Sequence, residues 1–298
     1  MTKTTWTLLL VASTAFIASF FPIAKYLNGA VDPLLLAFFR FSIATIVLLP
    51  IMAYRHSLRL PPRDEWPFFI LLGFLSVSPT VLVVTGIAYT NTIVSAILMN
   101  TQPLIIALLA PILIGEKVAS HKAFSMAVGL VGVALIVMNG HSFSEHLGST
   151  YLFGSCILLF AALLGGINKT LSRNVVRKYD GLYVTFFPVA IGSIFLGIML
   201  LLQDGFTPVA HFAPTTYLSL IVIGIVCTAI PWVIWTSSLK HLDVHVAVTF
   251  NLLIPIFAAL YSFLLFNETF TIWIALGMLL TSTSIFFVQR RVAVAPSV

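Results

Sequence analysis

The sequence predicts an all-α integral membrane protein in which ten transmembrane helices form two inverted five-helix repeats around a central cavity. Three observations lead to this prediction. First, 60% of the residues are hydrophobic and 8% are charged, whereas soluble domains carry roughly 25% charged residues. Second, ten apolar runs follow one another with short loops between them. Third, four prolines form two pairs, and the members of each pair are 152 positions apart.

Each apolar run is close to the length of about 20 residues that a helix needs to cross the hydrocarbon core. The runs are continuously apolar, which favours helices over the alternating strands of a membrane β-barrel. The ten predicted spans are Trp6–Ala24, Pro33–Tyr54, Trp66–Ala88, Asn91–Ile114, His121–Met138, Tyr151–Leu171, Gly181–Leu202, Tyr217–Ser238, His245–Phe266 and Thr271–Val288.

The repeat is clearest in spans 4 and 9, where Ile97–Glu116 aligns with Thr249–Glu268. Spans 2 and 7 align as well, with Asp32 on Asp180. Each half holds five spans, and an odd number turns the second half upside down in the membrane, as in many secondary transporters. We therefore predict one repeat at residues 1–140 and a second, inverted repeat at residues 141–298.

The basic residues predict the orientation of the chain. With the N-terminus in the cytoplasm, the inner loops carry most of the Lys and Arg side chains, as the positive-inside rule requires. These are Arg55, Arg59, Arg63, Lys117, Lys122, Arg173, Arg177, Lys178 and Lys240. Both termini are therefore expected in the cytoplasm. We read the net charge of +6 as a sign of topology and expect no nucleic-acid partner.

Prolines inside the spans are candidate hinges. A proline removes one backbone donor and frees the carbonyl four residues earlier, and a free carbonyl at membrane depth needs water, a side chain or a ligand. Two interpretations remain open: hinges beside a central cavity, or kinks that only shape the packing. The prolines are Pro79 and Pro103 in the first half, and Pro231 and Pro255 at the matching positions in the second.

Arg40 is the charged residue placed deepest in a span, roughly 12 Å from the end of span 2. No Asp or Glu lies at a matching depth in the sequence, so carbonyls, water or a ligand anion must pair with it. Two roles remain open, a ligand for a substrate carboxylate or a structural clamp. Lys25 and Lys169 are expected to extend to the membrane interfaces.

Polar and aromatic side chains near the prolines are candidates for the cavity wall. Amides both donate and accept hydrogen bonds, although they also join helices in membranes. Tryptophans three positions apart share one helix face and either stack on a substrate or face lipid. The candidates are Ser78, Thr80 and Tyr89 in span 3, Asn100 and Gln102 in span 4, Trp232 and Trp235 in span 8, and Asn251 in span 9.

The sequence also excludes several chemistries. It has no glycine-rich phosphate loop followed by lysine, so ATP is not expected to be the direct energy source. No nucleophile with a neighbouring base and no metal-ligand set lies within the spans, and we expect neither a cofactor nor enzyme activity. Because no carboxylate lies at mid-membrane depth, coupling would use a boundary residue or the charge of the substrate, or the protein is a facilitator or exchanger.

The five-plus-five spans, Arg40 in span 2, and the proline-bearing spans that end in Gly115-Glu116 and Asn267-Glu268 resemble the drug/metabolite transporter superfamily, and in particular its EamA-type exporters. This resemblance implies a central cavity lined by spans 1–4 and 6–9, with spans 5 and 10 at the periphery. In one respect the sequence departs from the family pattern. Gly129 and Gly132 in span 5 have no counterparts at the same spacing in span 10.

The resemblance also implies a function. It predicts a secondary transporter that moves a small metabolite, an amino acid or a related amphipathic compound, across the bacterial inner membrane by alternating access, in the export direction. The expected partners are the substrate, the lipid bilayer and either a coupling proton or a counter-substrate, for a monomer or a homodimer. A passive facilitator or channel and a non-transporting scaffold are the alternatives.

Overall fold

The computed structural model describes residues 3–54, 60–105, 108, 120–140, 149–176, 178–238 and 250–289. These residues are mostly helical and include no strand. Each of the ten predicted spans is helical over most of its described residues, so the predicted all-α class is confirmed. Residues 106–107 and 109–114 of the predicted fourth span lie outside the described residues, as do residues 245–249 of the ninth.

We number the helical segments α1 to α10 by predicted span. They are α1 (Lys3–Ala18 and Phe20–Tyr26), α2 (Pro33–Tyr54), α3 (Trp66–Tyr89), α4 (Thr92–Met99), α5 (Ser120–Met138), α6 (Thr150–Val176), α7 (Gly181–Leu202), α8 (Pro214–Gly224, a π-helical turn Ile225–Ala229, and Ile230–Ser238), α9 (a 3-10 turn Phe250–Leu253 and Ile254–Phe266) and α10 (Ile272–Gln289).

Within the described residues, six segments are long and apolar enough to cross a bilayer. They fall in α1, α2, α3, α6, α7 and α8. The shorter apolar helices are Thr92–Ile105, Phe124–Met138, Phe250–Phe266 and Ile272–Phe287. Large apolar side chains such as Leu264 and Phe263 remain exposed on the outer surface, which suits contact with lipid rather than water.

Helices α5 and α10 pack together through small residues. A Cβ atom on Gly132 would lie 2.9 Å from the carbonyl oxygen of Gly277 and 2.9 Å from the backbone nitrogen of Thr281. A Cβ atom on Gly129 would lie 2.4 Å from the hydroxyl of Ser284, which donates to the carbonyl of Ser125. Small residues let membrane helices approach closely. Thr281 and Ser284 therefore face the two α5 glycines, although α10 lacks matching glycines.

Two glycines mark equivalent crossings between the halves. A Cβ atom on Gly73 in α3 would lie 2.9 Å from the carbonyl oxygen of Pro188 in α7. A Cβ atom on Gly224 in α8 would lie 3.4 Å from the carbonyl oxygen of Arg40 in α2. Pro188 is the residue that aligns with Arg40 in the sequence repeat. The two halves thus contact each other in equivalent ways, whereas the inversion of the second half and the boundary at residues 140 and 141 remain predictions.

A polar cluster joins the start of α3 to the turn between α6 and α7. Glu65 forms a salt bridge with Lys178 and accepts a hydrogen bond from the Tyr179 hydroxyl at 2.7 Å. The bond to Glu65 raises the pKa of the Lys178 ammonium and likewise raises the pKa of the Tyr179 phenol. Solvent screens these interactions, so the cluster adds little to the free energy of unfolding. Its main effect is to fix the position of the turn.

Candidate functional site

Helices α4 and α9 each have a proline at the start of an α-helical segment. The regular part of α4 ends at Met99, Asn100 and Thr101 form a turn, and residues 102–105 are helical again. The described part of α9 begins with a 3-10 turn, which precedes the α-helix that starts at Ile254. Pro103 and Pro255 therefore lie in the first turn of an α-helical segment, where a missing N–H costs no helical hydrogen bond. Interrupted helices such as α4 often form the binding sites of transporters.

The other two prolines occupy different geometry. Pro79 lies inside the continuous helix α3. Pro231 follows the π-helical turn of α8, where the N–H of Ile230 donates to the carbonyl of Ile225, five residues earlier. Such π-turns are frequent at functional sites. Pro103 thus follows a helix interruption, Pro255 follows a 3-10 turn, Pro231 follows a π-turn and Pro79 lies in an unbroken helix. Movement at any of the four prolines remains a prediction.

Arg40 connects three helices. Its Nε donates to the Thr228 hydroxyl at 3.0 Å, and that hydroxyl donates to the carbonyl of Ile223 at 2.8 Å. The guanidinium carbon lies 4.0 Å from the centroid of the Phe20 ring, within the range of a cation–π interaction. Arg40 on α2 is thereby held against α8 and α1. This geometry favours the structural clamp over the carboxylate ligand, and neither role has been tested.

Removal of the Arg40 guanidinium is expected to destabilise the protein. In Arg40→Met the charged hydrogen bond and the contact with Phe20 are lost, which should cost about 2 kcal/mol. Thr228→Val removes the same hydrogen bond, so the double variant should be less destabilised than the sum of the two single variants. Denaturation of the three purified variants in detergent measures this coupling. Unchanged stability of Arg40→Met together with lost transport would instead identify Arg40 as a substrate ligand.

Trp232 has an aromatic partner inside the bundle. Its ring is stacked on Phe41 of α2, with 6.2 Å between centroids and 13° between planes. Phe41 therefore covers one face of the indole. This contact with a protein side chain is neither the predicted stacking on a substrate nor the predicted contact with lipid. Trp235 and Asn251 are half-buried, and Thr80 is buried.

Tyr89 lies apart from the interior candidates, whereas Ser78 does not. Ser78 is half-buried, and its hydroxyl oxygen is buried without a hydrogen-bond partner among the described residues. The side chain of Tyr89 is 42% exposed, and its ring centroid lies 5.4 Å from that of Phe153, which is 57% exposed. The structure therefore places Tyr89 on the outer side of α3, away from the interior set.

Amide groups converge in the interior between α3, α4 and α6. Gln102 is 9% exposed, and a Cβ atom on Gly165 of α6 would lie 2.6 Å from its amide nitrogen. Asn168 of α6 donates to the Ser76 hydroxyl of α3 at 3.3 Å. The Oε1 of Gln102 and the Oδ1 of Asn168 are both buried, and neither accepts a hydrogen bond from any described residue. Buried oxygens without donors are uncommon and are suited to a ligand.

Sequence reasoning missed Asn168, although a signal was available. Asn168 and Lys169 are adjacent polar residues in an otherwise apolar span, and polar residues within membrane helices usually face the interior. Asn100, which was among the candidates, is half-buried and ends the regular part of α4. Within the described parts of the chain, no three His, Cys, Asp or Glu side chains are grouped to hold a metal ion.

The turn between α3 and α4 is held by two charged side chains. The ammonium of Lys25 donates to the carbonyls of Ile87 and Thr90, each at 2.9 Å. The carboxylate of Glu268 accepts from the backbone N–H of Thr92 at 3.0 Å and from its hydroxyl at 2.9 Å. A cation thus lies at the C-terminus of α3 and an anion at the N-terminus of α4, which both helix dipoles favour. Lys25 thus caps the C-terminus of α3, and we call this arrangement the Lys25–Glu268 closure.

Apolar helices long enough to cross a bilayer, an interrupted helix and a buried group of unpaired amide oxygens are features of multi-pass membrane transport proteins. The chain belongs to the EamA-like transporter family, whose model matches residues 4–138 and again residues 152–290. It is therefore a multi-pass membrane transporter. The Arg40, proline and Glu268 positions that carried the resemblance in the sequence all lie within these two matches.

Known relatives span nearly the whole chain. One from Archaeoglobus fulgidus, named an uncharacterized transporter, is 28% identical over 95% of this chain and 97% of its own. A "Probable terminal-alkyne amino-acid exporter" from Streptantibioticus cattleyicolor is 26% identical over 98% of this chain and 95% of its own. A solved crystal structure at 18% identity superposes with a TM-score of 0.65 and covers 96% of this chain and 98% of its own, which supports the fold alone.

Proposed function

We propose that the protein is a secondary transporter that moves a small amphipathic metabolite, of the amino-acid class, out of the cell by alternating access. The observation that carries this proposal is the interruption of α4 before Pro103, together with the unpaired amide oxygens beside it. An interrupted helix offers free backbone groups to a solute and a point at which the two helix parts can change their angle.

The substrate class rests on two lines of support. Unpaired oxygens of Gln102 and Asn168 accept hydrogen bonds, so they suit a solute with N–H donors. The relative from Streptantibioticus cattleyicolor is named for export of an amino acid, which supports both the class and the direction. A ligand drives a conformational change only through different affinities for the two states, and a solute that fills these hydrogen bonds in one state provides such a difference.

We further propose that the protein lies in the bacterial inner membrane with both termini in the cytoplasm. The support is the concentration of Lys and Arg in alternate loops. Energy would come from exchange with a counter-substrate or from the gradient of the solute itself. A coupling proton is the competing source, and it requires a titratable group in the pathway.

Transport by the purified protein in liposomes tests the proposal. Liposomes preloaded with an unlabelled amino acid should take up the same labelled amino acid faster than empty ones, and uptake should saturate, because a carrier returns more quickly when it is loaded on both faces. The amino acids are assayed one at a time at equal concentration. Uptake that rises linearly without acceleration by preloading would indicate a channel, and uptake no greater than that of protein-free liposomes would indicate a scaffold.

A further inference from the structure

Lys169 projects into the interior of the bundle and yet is exposed. The lipid-facing side of α6 is marked by Phe153 and Phe160, both exposed. At about 100° per residue, Lys169 points roughly 180° away from Phe160 and within about 20° of Leu158 and Ala162. Those two side chains are fully buried, whereas the Lys169 side chain is exposed. An exposed side chain on the buried face of a helix requires a water-accessible space inside the bundle.

This space lies at the level of the middle of α3. Asn168, the neighbour of Lys169, is hydrogen-bonded to Ser76, and Ser76 is the eleventh of the 24 residues in α3. At 1.5 Å per residue, Ser76 is about 15 Å from the start of that helix. Lys169 therefore lies at the level of the inner turns of α3, and its extension to a membrane interface stays a prediction.

The ammonium of Lys169 has no protein counter-ion in the described part of the chain. The salt bridge found there joins Lys178 to Glu65, and Glu268 is bound to the N-terminus of α4. The ammonium of Lys25, by contrast, donates hydrogen bonds to two backbone carbonyls. A charge at this depth is costly unless an anion or water accompanies it, so Lys169 is suited to an anionic ligand.

Two hydrogen-bond acceptors lie close to the Lys169 position. The Gln102 side chain is packed against Gly165, one helical turn before Lys169 on the same face of α6. Its Oε1 and the Oδ1 of Asn168 are buried and receive no hydrogen bond from the residues that the structure describes. A cation beside two unpaired acceptors matches a ligand with an anionic group and N–H donors close to each other.

We propose that Lys169 binds the carboxylate of the transported solute, and that the side-chain oxygens of Gln102 and Asn168 accept hydrogen bonds from its ammonium group. The ligand class is accordingly a zwitterion of the α-amino-acid type. This assignment rests on the proposed transport function, and it adds the requirement for a free carboxylate. Arg40 is engaged by Thr228 and Phe20, so among the described residues Lys169 is the interior cation that remains available to a solute.

The test measures binding to the purified full-length protein by thermal shift and calorimetry. The probes are the L-α-amino acids and, for each one that stabilises the wild type, its carboxamide, which keeps the ammonium and loses the carboxylate charge. We expect the carboxamide to bind at least about 10-fold more weakly, because a charge-assisted hydrogen bond is lost. Lys169→Gln should bind the amino acid at least about 10-fold more weakly as well and should bind acid and amide alike. Lys178→Gln, which removes an exposed lysine, should bind as the wild type does.

Several outcomes would overturn the assignment. These are equal binding of acid and amide by the wild type, unchanged selectivity in Lys169→Gln, or no amino acid that stabilises the wild type. The acid–amide comparison needs no variant, so it decides even if the substitution prevents folding. Failure of the transport proposal is distinguishable. Lys169-dependent binding without any flux in liposomes would reject transport and keep the site, whereas saturable flux that Lys169→Gln leaves unchanged would reject the site and keep transport.

Discussion

Replacing Gly132 with leucine is expected to separate α5 from α10 and to destabilise the protein by about 3 kcal/mol or more. A Cβ atom at this position would lie 2.9 Å from the carbonyl oxygen of Gly277 and from the backbone nitrogen of Thr281. Both contacts are with backbone atoms, which cannot turn aside as a flexible side chain can. The helices would have to move apart along the whole seam, and membrane helices depend on close packing for their association.

Thermal unfolding in detergent and the yield of monodisperse protein measure this effect. The matched control is Ala134→Leu, which adds the same side chain to α5 at an exposed position two residues along the helix. That variant should behave as the wild type does. Equal stability of the two leucine variants would contradict the close packing of α5 on α10.

Replacing Glu268 with glutamine is expected to loosen the Lys25–Glu268 closure. The carboxylate accepts hydrogen bonds from the backbone N–H and the hydroxyl of Thr92 at the N-terminus of α4. Glutamine keeps the size and loses the charge, so each bond weakens and the helix dipole loses its anion. A cost of about 1–2 kcal/mol would raise the fraction of molecules in which Glu268 has separated from the N-terminus of α4 roughly 5- to 30-fold.

A buried cysteine reports on that opening. Ser95 is fully buried below the turn, so Ser95→Cys in a chain without Cys156 and Cys227 should react slowly with a membrane-impermeant maleimide. The labelling rate should rise about tenfold when Glu268→Gln is added. Glu65→Gln, at the cluster with Lys178, should leave the rate unchanged. An equal rate with and without the Glu268 carboxylate would mean that it does not hold this end closed.

The membrane class and the ten helices were predictable because the bilayer imposes a simple rule of length and apolarity on any spanning helix. The interruption of α4 near Pro103 and the start of the α-helix near Pro255 were predictable to within a few residues for a similar reason, since proline is tolerated best in the first turn of a helix. These signals are local in the sequence and do not depend on how the helices pack.

The site was harder to predict because each step along a helix rotates the side chain by about 100°. Ser78 and Ser76 are only two residues apart, yet Ser76 accepts a hydrogen bond from Asn168 while the Ser78 hydroxyl is buried without a partner among the described residues. Lys25 and Lys169 are both lysines of a predicted span, yet the first caps a helix and the second is exposed in the interior. Tertiary packing decides such differences, and the amino-acid composition of a helix does not show how that helix packs.

The seam between α5 and α10 has a mechanical consequence for the two halves. One helix comes from the first half and the other from the second, and glycine-to-carbonyl contacts hold them too close to slide independently. If one half tilts, the contacts between α5 and α10 would therefore tilt the other half as well. We expect the two halves to move together about an axis at this helix pair.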